Sequence, residues 1–297
     1  MSGPARPLLL AAGGIAALCA MDAVVKHLQL SHAVLLVVFI RYVTGSIVAG
    51  LVWALAGRPR LVRAMWRGHL ARGATIAATA FLFYWSLTVL TLAEAVTLSF
   101  TAPLLIPLLA WAMLGERLRR ANVIAGLAGF GGVLIAVGGG TLAFDGRYLG
   151  VAAILGASVT YALTNVLMRA RGGDGSTLLT LTGALIPALL LLPLVPLVGA
   201  DAFVRAASDT ANWPYFIASG VIGNIGIQLL SRAYARAEAQ VLAPVEFTAL
   251  PWAALLGWAC FDEAVSAQVV AGGTVIIAAG LWSARPAGLK PPRWVAP

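Results

Sequence analysis

The chain has 297 residues, of which 61% are apolar and only 10% charged, and its formal net charge is +9. A soluble domain carries about 25% charged residues, so the ordinary water-soluble class is excluded and lipid must cover much of the apolar surface. The two cysteines lie in apolar runs and the three histidines are scattered, which argues against a disulfide framework and a metal site; no cofactor is expected.

A hydrocarbon layer of roughly 30 Å takes about 20 apolar residues per helix. Ten segments qualify in chain order: 7–28, 32–56, 68–90, 93–114, 121–140, 147–168, 175–198, 212–234, 238–260 and 266–284. The expected fold is therefore an all-α membrane protein of ten transmembrane helices joined by short connections. The first segment follows Arg6 but exceeds a signal-peptide core, so it is read as a span.

Basic residues orient these spans. With the N-terminus inside, the cytoplasmic loops and ends hold Arg6; Arg58, Arg60, Arg63, Arg67 and Arg72; Arg117, Arg119 and Arg120; Arg169 and Arg171; Arg232 and Arg236; and Arg285, Lys290 and Arg293. The outer side keeps Lys26, Arg147 and Arg205, while Arg41 falls inside a span. With 16 of the 20 basic residues on one side, both termini are expected in the cytoplasm. The positive charge then fringes anionic lipid headgroups and is no nucleic-acid footprint.

The chain also repeats itself. LAEAVTLSFTAPLLIP at 92–107 is echoed by RAEAQVLAPVEFTALP at 236–251, with Ala-Glu-Ala and the final proline in register. Leu114-Gly115-Glu116 is matched by Phe261-Asp262-Glu263, and ten residues after each glutamate stands a glycine, Gly126 or Gly273. At an offset of 143, Asp22 and Lys26 fall on Asn165 and Arg169. Each half holds five spans, an odd number, so the second half enters the membrane from the opposite face. The expected division is residues 1–143, residues 144–285 and a cytoplasmic tail, 286–297. Inverted repeats of this kind build many secondary transporters, because two opposed bundles can expose a midplane site to each side in turn.

Ala93-Glu94-Ala95, Pro103, Pro107, Leu114-Gly115-Glu116-Arg117-Leu118 and Gly126 resemble the EamA domain of the drug/metabolite transporter superfamily. Residues 224–282 resemble the second EamA unit, and Phe39-Ile40-Arg41-Tyr42 the arginine-bearing second helix. The resemblance covers roughly 8–284. It implies ten helices, cytoplasmic termini and a central cavity, with helices five and ten packed together away from that cavity. Asp262-Glu263 departs from the usual Gly-Glu, which puts the local helix end in question.

No phosphate-binding GxxxxGK[ST] loop occurs, and the glycines of GFGGVLIAVGGG at 129–140 are read as close helix contacts. Ionisable groups at membrane depth point to function. Arg41 is placed near the midplane, either to bind a substrate carboxylate or phosphate or to form a structural ion pair. Glu246 stands between Pro244 and Pro251, where prolines free backbone carbonyls; it either lines a cavity, to hold an amino group or a proton, or pairs with Arg41 or another cation. Asp22 and Lys26, four apart on one face, read as an ion pair or a gate. Tyr84, Trp85, Tyr161, Asn165 and Gln228 are further cavity candidates, with helix packing as the alternative. Pro103, Pro107, Pro244 and Pro251 are candidate hinges. Glu94, Glu116, Glu238 and Glu263 read as structural groups at helix ends.

These readings converge on a non-enzymatic secondary or facilitative transporter of the inner membrane, working as a monomer among lipids on a small-molecule substrate. The resemblance implies export of amino acids or related metabolites. The rival within transport is a carrier of drugs, purines or nucleotide-like solutes, the last requiring several cations in the cavity. A membrane-embedded enzyme or sensor is disfavoured, since no paired nucleophile and base, clustered metal ligands or output domain is found in the sequence.

Overall fold

The computed structural model describes residues 5–57, 65–116, 118, 120–137, 147–237 and 242–283. Among them only helices and turns occur. The helices are α1 (Ala5–Gln29), α2 (Val34–Leu55), α3 (Trp66–Ser86), α4 (Leu92–Ser99), α5 (Thr101–Leu114) and α6 (Arg120–Val137). They continue with α7 (Arg147–Ala170), α8 (Ser176–Leu191), α9 (Ala200–Ser208), α10 (Trp213–Tyr234), α11 (Ala249–Phe261) and α12 (Ala267–Ser283). Six stretches are long and apolar enough to cross a membrane: Arg6–Gln29, Val34–Leu55, Glu94–Leu114, Arg147–Ala170, Ser176–Val198 and Trp213–Tyr234. Leu55, Leu127, Leu197 and Trp258 are among many large apolar side chains left exposed, as lipid-facing positions are.

Two expected spans are broken rather than continuous. Residues 93–114 divide at Phe100 into α4 and α5, and residues 238–260 include a 3₁₀ turn, Ala243–Thr248, ahead of α11. The first break has a clear cause. Pro103 has no N–H to donate to the Ser99 carbonyl, and the Ser158 hydroxyl of α7 lies 3.5 Å from that oxygen. Pro244 and Glu246 both fall in the 3₁₀ turn. A further 3₁₀ segment, Leu192–Val198, prolongs α8. The short α9 was not anticipated; it buries Ala202 and Ala206 and leaves Phe203 and Val204 exposed.

Packing pairs helices that lie far apart in sequence. α1 packs on α10, α3 on α7, α2 on α8, and α6 on α12. Secondary contacts join α2 to α10, α3 to α8, α5 to α7, and α1 to α11. Small residues make the closest of these approaches possible. A methyl group on Gly132 would stand 2.8 Å from the Gly272 carbonyl oxygen, and one on Gly14 3.0 Å from the Gly226 carbonyl oxygen. Glycine therefore lets α6 meet α12 and α1 meet α10 nearly backbone to backbone.

The helix end at Asp262 is formed in the same way as that at Gly115. Both residues are left-handed, with φ of 53° and 66°. Gly115 N donates to Trp111 O and Glu116 N to Ala110 O; Asp262 N donates to Trp258 O and Glu263 N to Gly257 O. This is the paired closing pattern of a left-handed helix C-terminus, so the aspartate keeps the glycine geometry at some steric cost.

Candidate functional site

A cavity of about 170 Å³ lies at the meeting of α1, α2, α3, α7, the α4–α5 break and the 3₁₀ turn. Its walls are mostly apolar and aromatic, with Ile15, Leu18, Phe83, Phe100 and Ile227 among them. Among the described residues three acidic or basic side chains line it, each from a different element: Asp22 from α1, Arg41 from α2 and Glu246 from the 3₁₀ turn. The α4–α5 break contributes Ser99, Phe100, Ala102 and Pro103, so the irregular backbone sits against the cavity.

Tyrosines hold both carboxylates. The Tyr84 hydroxyl donates to Asp22 Oδ1 at 2.8 Å. Glu246 accepts from Tyr161 at 2.9 Å through Oε2 and from Tyr234 at 3.3 Å through Oε1. Among the described residues no carboxylate lies within hydrogen-bonding distance of Arg41. Its Nε lies 3.0 Å from Met21 Sδ, and its guanidinium sits 4.5 Å from the Tyr42 ring centroid and 5.6 Å from that of Tyr84. Nη1 is buried and has no hydrogen-bond partner among the described residues. Aromatic faces thus stabilise the cation while leaving N–H donors available, which suits recognition of a planar anion such as a carboxylate. The site offers carboxyl groups at two points and a guanidinium at a third, inside apolar walls.

The sequence profile of the EamA-like transporter family matches residues 6–138. The riboflavin transporter of Rhizobium johnstonii is 31% identical over 228 residues, covering 74% of this chain and 70% of that relative. This chain belongs to the EamA-like transporter family. It is thus a transporter and a multi-pass membrane protein. The pseudopaline exporter CntI of Pseudomonas aeruginosa (strain UCBPP-PA14) is 27% identical over 268 residues, covering 87% of this chain and 89% of that protein. A solved crystal structure, 18% identical, superposes with a TM-score of 0.68 over 94% of this chain and 96% of its own, which shows a shared fold.

Within this EamA-like architecture, Asp22, Arg41, Tyr84, Pro103, Tyr161 and Glu246 come together at the cavity. Trp85, Asn165 and Gln228 are not among its lining residues. Helical phase separates Trp85 from Tyr84 by about 100°. Asn165 is buried one turn from Tyr161 with Nδ2 unpartnered, and Gln228 is buried with Oε1 3.4 Å from Arg232 Nη2. Pro107 lies farther along α5 and Pro251 is exposed on α11. Among the described residues none from α6 or α12 lines the cavity, and these two helices pack on one another.

Two ion pairs that the sequence allowed do not form. Asp22 does not pair with Lys26; Lys26 instead bonds Glu263, whose Oε2 also accepts the Leu92 N–H at 3.0 Å. Arg41 and Glu246 do not pair either, each having the contacts given above. Glu116 takes Arg169 Nε at 3.2 Å, so Arg169 is a buried member of α7 rather than a loop charge. Glu94 closes a capping box with Thr91 and bonds Arg147 at 2.7 Å, while Glu238 lies outside the described residues.

Arg72 is the largest correction. Assigned to a cytoplasmic loop from its neighbours, it is only 1% exposed, inside α3. The sequence did contain the signal: residue 72 falls within the apolar segment 68–90, followed by small residues that let neighbouring helices enclose it. Tyr42 and Tyr234 were also missed, because an aromatic in an apolar helix has the same pattern whether it packs or binds.

Proposed function

We propose that this protein is an alternating-access transporter of the inner membrane that exports amino acids or closely related zwitterionic metabolites. The observation that carries this reading is the charge layout of the cavity. An ammonium group fits Asp22 or Glu246, a carboxylate fits the open Nη1 of Arg41, and an apolar side chain fits the remaining wall. A transported solute should be held by few strong contacts, since it must also leave.

The alternating cycle rests on two inverted halves of five spans each, ten in all, with both termini cytoplasmic. Packing supports the correspondence α1 to α7, α2 to α8, α3 to α10, α5 to α11 and α6 to α12. Exchanging partners under it turns α1–α10 into α7–α3, α2–α10 into α8–α3, and α5–α7 into α11–α1, all of which are present. The α2–α8 and α6–α12 pairs map onto themselves. The ion pairs follow the same rule. Lys26–Glu263 ties the C-terminal ends of α1 and α11, and Arg169–Glu116 ties those of α7 and α5. In an inverted repeat these stand at opposite membrane faces, the first as the outer closure and the second as the inner. Rocking of the halves, with bending at the Pro103 break and the Pro244 turn, then opens one face while the other pair stays shut.

Uptake into liposomes by the purified protein, with a panel of amino acids, purines, riboflavin and cationic drugs, tests the substrate class. Saturable movement of at least one amino acid is expected. Movement of a purine or riboflavin with no amino acid carried would replace this reading by one of flat aromatic solutes, to which the 31% identical riboflavin transporter gives some weight. The same measurement with and without a pH gradient decides whether a proton is coupled.

A further inference from the structure

Beside the main cavity lies a smaller chamber of about 50 Å³, enclosed by α2, α3, α8 and α10. Arg41, Tyr42, Ile76 and Ile227 line both, so the two spaces adjoin through Arg41. On the measure by which roughly 10–15 Å³ admits one water, the chamber has room for a small polar group. Its far wall holds Arg72, and Thr180, Ser219 and Asn224 complete the polar lining.

Among the described residues the Arg72 side chain makes a single hydrogen bond, from Nη1 to the Leu179 carbonyl at 2.8 Å. Its Nε and Nη2 are buried without partners, as is Nη1 of Arg41. A guanidinium has five N–H donors and stays charged, so two such groups around one enclosed chamber favour an anion between them. No carboxylate of the described residues bonds either one. Asp22 and Glu246, the acids of the main cavity, are engaged by tyrosine hydroxyls. The missing partner is an anion small enough to enter from the main cavity.

We propose that this chamber is an anion-binding subsite in which Arg41 and Arg72 together receive the carboxylate of the transported solute. The solute class rests on the reading given under the proposed function; the anion site does not. Arg41 at the junction meets the carboxylate first, and Arg72 draws it inward. The subsite selects solutes with a free, unhindered carboxylate and rejects their esters and amides. Gly183 keeps it open: a methyl group there would stand 3.0 Å from Arg72 Nη1 and 3.1 Å from Nη2.

The test is thermal stability of the full-length protein in detergent, titrated with acetate and, in parallel, with its neutral isostere acetamide at constant ionic strength. Acetate should raise the unfolding midpoint saturably and acetamide should not. Arg72→Gln should weaken the apparent acetate affinity about tenfold or more, as expected for loss of a charge-assisted contact. Arg72→Lys keeps the charge if Arg72→Gln does not fold. Gly183→Ala leaves both arginines in place and should weaken acetate by narrowing the chamber. Equal acetate protection in wild type and Arg72→Gln, or in wild type and Gly183→Ala, would overturn the subsite, as would equal protection by acetamide. If acetate protection depends on Arg72 but liposomes carry no amino acid, the anion site stands and the amino-acid reading fails.

Discussion

Removing the charge of Glu263 should open the transporter to the outside, and the size of the effect follows from the pair it breaks. The Lys26 and Glu263 side chains are 9% and 16% exposed. Exposed pairs contribute about 0–1 kcal/mol, while breaking a fully buried one costs about 3–5 kcal/mol. A pair shielded to this degree lies between those limits, near 2 kcal/mol, and at about 1.4 kcal/mol per decade that is a population shift of roughly 30-fold. Glu263→Gln keeps an oxygen to accept the Leu92 N–H, so the change falls mainly on the charge. Cys19 provides the readout, because it is buried yet lines the cavity, whereas Cys260 is exposed and is first replaced by serine. In right-side-out vesicles, a membrane-impermeant thiol reagent should label Cys19 of Glu263→Gln roughly 30-fold faster than the parent. Glu116→Gln should do the same only in inside-out vesicles, since its pair with Arg169 is the proposed closure of the other face. The double exchange Lys26→Glu with Glu263→Lys should return labelling towards the parent rate. Equal acceleration from both sides, or none, would refute the assignment of these pairs as opposed closures.

Three further outcomes are expected. Glu246→Gln should leave folding intact but weaken zwitterion binding by about 2–3 kcal/mol, the size of a lost charged hydrogen bond, read as Kd on the purified protein; unchanged Kd would remove Glu246 from the site. Gly132→Val should lower thermal stability by about 1–3 kcal/mol, because its Cβ would meet the α12 backbone; a neutral effect would mean that α6 and α12 separate freely. Asp262→Gly should stabilise the protein by about 1 kcal/mol, relieving a left-handed residue that carries a Cβ; a lower midpoint would show that the aspartate makes contacts that outweigh its strain.

Much of the fold was legible because lipid imposes a strong rule: long apolar runs must be helices. The written repeat at 92–107 and 236–251 was read as two continuous spans carrying candidate hinge prolines; both are interrupted, and proline chemistry explains the first break. What the sequence concealed were partners distant along the chain. Asp22 and Lys26 satisfy the spacing rule for a helical pair, yet each has a better partner on another helix, Tyr84 and Glu263. Arg72 was misplaced because positive charge near a loop is normally cytoplasmic, and only the packing of α3 against α8 encloses it. Trp85 and Gln228 had suitable depth but the wrong helical face, while Asn165 shares the face of Tyr161 and lies one turn beyond the lining. Depth can be read along one helix, whereas orientation requires its neighbours.

The central claim, a single cavity that carries zwitterions to both faces, is tested most directly by exchange. Proteoliposomes loaded with a labelled amino acid from the transported set would be diluted into buffer with or without the unlabelled compound outside. The account predicts that outside substrate accelerates efflux of the label, that its methyl ester does not, and that Glu246→Gln abolishes the acceleration in protein reconstituted to the same level. Efflux accelerated equally by amino acid and ester, or unchanged in Glu246→Gln, would contradict it.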